Sequence, residues 1–218
     1  YCKKMFDDVV RPYGIASQYK SEIIKLALLD NDFAEPTPDP EVRIAYNHRL
    51  QDYKNYMETF EMLDMLYKNG HKFKVMVTNP NASNFNKLVN YPFVEGMQIA
   101  NHADYLKELG RCHINVTNSQ HETFCISALE SLAFGQVLVA PRALTFPELV
   151  SPDYKYLFNN DEEQYNILSK LIKNPAILDA ERPVIRKYTL DNFSGDKIVD
   201  KFHELFTTYS KNDISADN

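Results

Sequence analysis

The rhythm of apolar and polar positions changes at residue 42. Upstream, "ASQYKSEIIKLALL" (16–29) spaces its apolar residues as a helix does and predicts a helix capped by Ser17. "EPTPDPE" (35–41) sets prolines among acids, so it predicts a stiff connector that is neither helix nor central strand. Short apolar runs then begin at 42–46 (VRIAY), 73–78 (FKVMVT), 113–117 (HINVT) and 137–140 (VLVA), with weaker ones at 92–95 and 155–158. Runs this short, without alternation, suit strands buried on both faces. In 54–69, Met57, Phe60, Leu63 and Leu66, with Met62 and Tyr67 beside them, recur at helical spacing until Gly70. Further helices are predicted at 101–110, 124–134, 161–173 and 194–209. Alternation of this kind predicts an α/β fold, a Rossmann-like parallel sheet with helices on both faces. The chain divides into an N-terminal helical segment with its connector (1–41), the Rossmann-like domain (42–210) and a polar tail (211–218).

The stretch "HETFCISALESLAFG" (121–135) falls where such a sheet binds ligands, in the loop after a strand and at the start of the next helix. At 100° per residue, Cys125, Ile126, Ala128, Leu129, Leu132 and Ala133 share an arc that should face the sheet. Ser127 and Ser131 lie opposite, and Glu130 sits at the edge of the arc. Glu122 and Glu130 are separated by roughly 12 Å if projected along a helix axis. Between them a helix N-terminus offers free N–H groups and a positive dipole end, a seat for a diphosphate. On its own, a pair of glutamates at this spacing is a common accident of first turns and exposed helix faces.

Context makes it specific. Strand, polar loop, the helix with E-x-F-x-I-x-x-L-E and the return through "GQVLVAP" to "LTFPELV" (144–150) resemble the signature of retaining GT-B glycosyltransferases of the glycogen-synthase-like, group 1 kind. Upstream, "AYNHRLQDYKN" (45–55) resembles that family's strand-end G-R-L-x-x-x-K-G, with Arg49 and Lys54 in order and at the right spacing. The resemblance covers about residues 15–175. It departs from the pattern where His48, Asn55 and Cys125 replace glycines. "NHR" and "RALTFPELVSPDYKYL" look closest to the branch that includes the tRNA-queuosine α-mannosyltransferases; DNA-modifying phage glucosyltransferases form another branch with this architecture.

The resemblance implies the C-terminal, donor-binding half of a GT-B fold and a retaining transfer from a nucleotide-diphosphate sugar such as a GDP- or UDP-hexose. It implies no metal and no cofactor beyond the donor. Arg49, Lys54 and Glu122 would be the catalytic set, the two cations neutralising the leaving diphosphate and Glu122 holding sugar hydroxyls. His48, His121, Thr123, Phe124, Cys125, Ile126 and Ser127 would line the donor, and Glu130 would hold its ribose. A bidentate guanidinium and an ammonium on one loop suit such a leaving group. The acceptor (a glycan, lipid or nucleic acid) would be held by a separate N-terminal domain. Tyr1 in place of Met and the lack of a second Rossmann unit point to that domain lying outside this sequence.

Composition narrows the alternatives. Of 218 residues, 44% are hydrophobic and 25% charged, ordinary values for a domain with a sizeable core. A net charge of −6 argues against a surface devoted to nucleic-acid backbones. Cys2, Cys112 and Cys125 are too few and scattered for a disulfide framework or a zinc site and fit a reducing, cytoplasmic setting. No apolar run approaches a membrane span. Neither G-x-G-x-x-G nor G-x-x-x-x-G-K-[ST] is present, which removes dinucleotide and P-loop readings. "HETFC" is not H-E-x-x-H, and Cys125 has no evident His–Asp partner, so packing is its plainer role. The rival from another class is a non-catalytic nucleotide-binding Rossmann-like module, disfavoured because Arg49, Lys54, Glu122 and Glu130 occur together.

Overall fold

Apolar runs become strands because consecutive residues can be hidden on both faces of a parallel sheet. The computed structural model describes residues 2–13, 22–28, 33–78, 83–97, 99 and 101–214. Six strands form one sheet: β1 (Arg43–Tyr46), β2 (Lys74–Val77), β3 (Val94–Gly96), β4 (Ile114–Val116), β5 (Val137–Pro141) and β6 (Leu157–Phe158). All pair in parallel, in the order β3-β2-β1-β4-β5-β6. Ile44, Ala45 and Tyr46 are wholly buried in succession, which requires cover on both faces. The six strands predicted from the apolar runs are all present.

The helices are α1 (Cys2–Val10), α2 (Tyr56–Lys68), α3 (His102–Leu109), α4 (Ile126–Ala133), α5 (Phe146–Leu149), α6 (Asp161–Lys173), α7 (Pro175–Phe193) and α8 (Gly195–Ile214). In α2 most of the predicted stripe holds: Phe60, Leu63 and Leu66 are fully buried, each such side chain contributing about 1.5–3 kcal/mol, while Met57 is half-buried and Tyr67 exposed. Two helices begin on an asparagine whose side chain accepts from a first-turn amide, Asn101 from Asp104 and Asn160 from Glu163, both at 2.9 Å. At the N-terminal end of β1, the buried Arg43 guanidinium meets Asp39 at 3.3 Å and Glu95 and Glu108 at 3.1 Å. That network fastens the proline-rich connector to the sheet at the end away from the β1 and β4 exit loops. As predicted, residues 35–41 carry neither helix nor strand.

Three expectations change. Residues 22–27 are not helical; beside them Leu28 forms a parallel bridge with Ser194, its N–H donating to Phe193 O at 2.8 Å. The backbone there is spent on another segment rather than on a helix, and Ser17 lies outside the described residues. Helix α7 was not predicted, because Pro183 sits inside it and normally breaks a helix. Helix α8 runs on into the stretch read as a tail, to Ile214.

The chain forms two compact units. One combines residues 1–30 with 190–218 and contains α1, the Leu28–Ser194 bridge and α8; the other, residues 31–189, contains the whole sheet.

Candidate functional site

Strands β1 and β4 are neighbours, yet the connections leaving them run to opposite sides of the sheet, since β1 leads to β2 and β4 leads to β5. At such a switch point the two exit loops diverge and leave a crevice beyond the carboxyl ends. Here the crevice has a volume of about 490 Å³, within the range of small-molecule sites. From the β1 side it is lined by Asn47, His48, Arg49, Tyr53 and Lys54, and from the β4 side by His121, Glu122, Thr123, Cys125, Ile126 and Ser127. Nine of the eleven residues singled out in the sequence are therefore brought together. Phe124 and Glu130 are not in its lining.

The local backbone explains how the loops are shaped. Asp52–Lys54 make a turn of 3-10 helix, and Asn55 takes φ 52° before α2 begins. Cys125, the residue before α4, takes φ 66°. Both lie in the left-handed region that glycine enters freely and other residues enter at a cost of about 1–2 kcal/mol. These are two of the positions where the resembled pattern has glycine, so the turns are kept although the residues differ. Ala128 and Leu129 both donate to Cys125 O at 3.1 Å. The amides of Ile126 and Ser127 then lack an acceptor within the helix and stand at the crevice.

Charge in the crevice is partly paired. Lys54 Nζ donates to Glu122 Oε2 in a short ion pair, both side chains nearly buried. Glu122 Oε1 accepts from the Thr123 amide at 3.1 Å. Burial works to raise the Glu122 carboxyl, but the Lys54 ammonium and the Cys125 and Thr123 hydrogen bonds together outweigh it and hold the group below the usual carboxylate range. Arg49 is exposed at the rim, and its guanidinium has no ion pair or hydrogen bond among the described residues. His48 is buried, with Nδ1 3.0 Å from Ser127 Oγ and no partner for Nε2 among the described residues. Burial and the Lys54 charge push its imidazole down to about 4, so it is neutral at neutral pH. Burial and the nearby Glu122 carboxylate push the Cys125 thiol up to about 12, which keeps it protonated and suits a packing role.

The helix arc predicted for α4 is corrected at two places. Ile126 is 48% exposed at the rim of the crevice, and Ser131 is fully buried. Ser131 is hidden because Asn47 Nδ2 donates to its Oγ at 3.1 Å while that Oγ donates to Ser127 O. Glu130 lies beyond the crevice lining, where Tyr105 OH donates to its Oε2 at 2.5 Å. Sequence reasoning missed Asn47, Tyr53 and Tyr105. Asn47 closes an apolar strand with a polar residue and Tyr53 stands between Arg49 and Lys54, so both had a local signal. Tyr105 comes from α3 and had none. Among the described residues no group of three His, Cys, Asp or Glu could hold a metal ion, and no helix is long and apolar enough to cross a membrane.

Comparison with known proteins bears on this geometry. Residues 30–189 match the family described as "Glycosyl transferases group 1", almost the same span as the unit that holds the sheet. A tRNA-queuosine alpha-mannosyltransferase from Drosophila melanogaster is 22% identical over 199 residues, covering 85% of this chain and 51% of that protein. The chain thus spans about half the length of this relative. Sucrose-phosphate synthase from Thermosynechococcus elongatus superposes with a TM-score of 0.73 at 16% identity, over 94% of this chain and 57% of that one. HepE from Anabaena, solved in complex with UDP-glucose, superposes with a TM-score of 0.70 at 14% identity, over 86% and 57%. At these identities the solved structures speak for the fold.

Proposed function

The chain belongs to the glycosyl transferases group 1 family, and from that premise we propose that its crevice binds a nucleotide-diphosphate sugar and serves sugar transfer with retention of configuration. The observation that carries the reading is the convergence, at the sheet's switch point, of Arg49, Lys54, Glu122 and the first amides of α4. The diphosphate would lie on the amides of Ile126 and Ser127 with Arg49 and Lys54 as its counter-charges. When the bond between the anomeric carbon and the diphosphate oxygen breaks, negative charge grows on the leaving group. Fixed cations act more strongly on that state than on bound donor, which is how they accelerate the step.

Glu122 would accept hydroxyls of the transferred sugar and Glu130 those of the ribose. Lys54 would exchange its pairing with Glu122 for the diphosphate as donor enters. Cation stabilisation of this kind needs no metal. The acceptor would be bound by chain outside this sequence, consistent with a mannosyltransferase relative about twice as long. The resembled branch and the mannosyltransferase relative make a GDP- or UDP-hexose the donor to try first and a nucleic acid one acceptor class to test.

A thermal-shift panel of UDP, GDP and ADP and their hexose conjugates, in EDTA, tests the reading. One base family should raise the melting temperature in proportion to the logarithm of ligand concentration, and its sugar conjugate should do so at lower concentration. No shift with any of them at millimolar concentration would overturn it.

A further inference from the structure

Glu130 does not stand alone beside the crevice. A chain of buried amides leads to it. Asn115 Nδ2, on β4, donates to Asn47 Oδ1 at 2.8 Å. Asn47, at the end of β1, sets its own Nδ2 2.9 Å from Tyr105 OH, 2.8 Å from Ser127 O and 3.1 Å from Ser131 Oγ. Tyr105 OH, on α3, then donates to Glu130 Oε2 at 2.5 Å. Two strands and two helices thus converge on one carboxylate, while its Oε1 has no hydrogen bond among the described residues. A carboxylate kept only as helix surface has no use for a half-buried tyrosine held from behind by a buried asparagine.

We propose that Tyr105, held by Asn47, is a positioning residue that aims the Glu130 carboxylate at the ribose hydroxyls of the donor. The inference rests on the reading of Glu130 as the ribose contact given above. Asn47 also accounts for register between the two ends of the donor. The same side-chain amide that steadies Tyr105 bonds the carbonyl of Ser127, whose N–H belongs to the diphosphate seat. Ribose and diphosphate sites are thereby referred to one fixed point at the end of β1. Outer partners of this kind, which orient a contacting group without touching the ligand, are costly to remove.

The chemistry of the pair gives the inference its own signature. Burial of the Tyr105 phenol and the Glu130 charge beside it raise the phenol's pKa, so it stays a donor throughout the usable range. Burial raises the Glu130 carboxyl, and the Tyr105 hydrogen bond and the nearby His102, both on α3, partly counter that. Deleting the phenol hydroxyl therefore moves the Glu130 titration further up. Ribose hydroxyls bind the ionised carboxylate best, so the acid limb of nucleotide binding should move to higher pH.

The experiment measures binding of UDP, GDP and ADP, and of inorganic pyrophosphate as a ribose-free control, to the wild type, Tyr105→Phe, Glu130→Ala and the double variant. Pyrophosphate binding and melting curves report that Tyr105→Phe is folded. For the nucleotide that binds, Tyr105→Phe should weaken affinity on the order of tenfold, the worth of a hydrogen bond to a charged group. It should leave pyrophosphate unchanged, shift the acid limb upward, and add nothing in the Glu130→Ala background. Additive losses in the double variant, or an unmoved acid limb, would overturn the positioning role alone. Unchanged nucleotide binding by Glu130→Ala would overturn it together with the ribose reading.

Discussion

His48 is the residue through which pH should act on this molecule first. Unfolded, its imidazole titrates near 6.5; folded, burial and Lys54 hold it at about 4. Between those values the unfolded chain binds a proton that the native state refuses, so stability falls as pH falls from 6.5 to 4 and is flat above. The full span corresponds to on the order of 3 kcal/mol. Glu122, whose carboxyl is depressed, acts in the same direction but only as pH drops below the usual carboxylate range. Burial lowers the His113 imidazole too, in the same direction. Urea denaturation from pH 7.5 to 4 should therefore show a slope above pH 4.5 that His48→Asn reduces and that the remaining His113 keeps from vanishing; an unchanged slope in that variant would refute the assignment. At this scale the sequence was legible where chemistry is local. Arg49, Lys54 and Glu122 stand within one crevice because two strand-end loops put them there. Asn55 and Cys125 looked like departures from a pattern, yet each keeps the left-handed backbone that glycine would supply. Side-chain identity alone does not reveal φ. Nor could it reveal that Tyr105 reaches Glu130.

Among the elements, the turn from α4 to β5 is the most constrained. Gly135 takes φ 71°, and a Cβ there would stand 2.4 Å from Arg182 O, a backbone atom of α7. Gly70, after α2, takes φ 85° but a Cβ there would meet nothing within 4 Å. Gly70→Ala should cost only the left-handed strain, about 1–2 kcal/mol. Gly135→Ala must add displacement of a helix backbone and should cost at least about twice as much. Chemical denaturation of the two variants decides it, and equal losses would contradict this packing of α7. Strands and amphipathic helices were legible because burial on two faces or one leaves a period in the sequence. The exceptions have physical causes. Pro183 hid α7 from any reading that treats proline as a stop. Ile126 and Ser131 exchanged roles in α4 because Asn47 supplies Ser131 with a buried hydrogen bond, which no helical period encodes.

For the whole molecule, strand–helix alternation was enough to anticipate a parallel sheet, and the order β3-β2-β1-β4-β5-β6 then places the crevice between β1 and β4. Under the proposed function this crevice would be an anion seat for a nucleoside diphosphate, with Arg49 and Lys54 as its cations. Calorimetric titration of UDP, GDP and ADP into the wild type, Arg49→Ala, Lys54→Ala and Arg49→Lys, all in EDTA, tests it most directly. Each alanine variant should lose on the order of tenfold or more in affinity for the nucleotide that binds, as expected for a charge-assisted hydrogen bond. Arg49→Lys should recover only part of the loss, because an ammonium cannot reproduce the guanidinium fork. Wild-type affinity in both alanine variants, or wild-type binding that is absent in EDTA and returns when the chelator is left out, would contradict this.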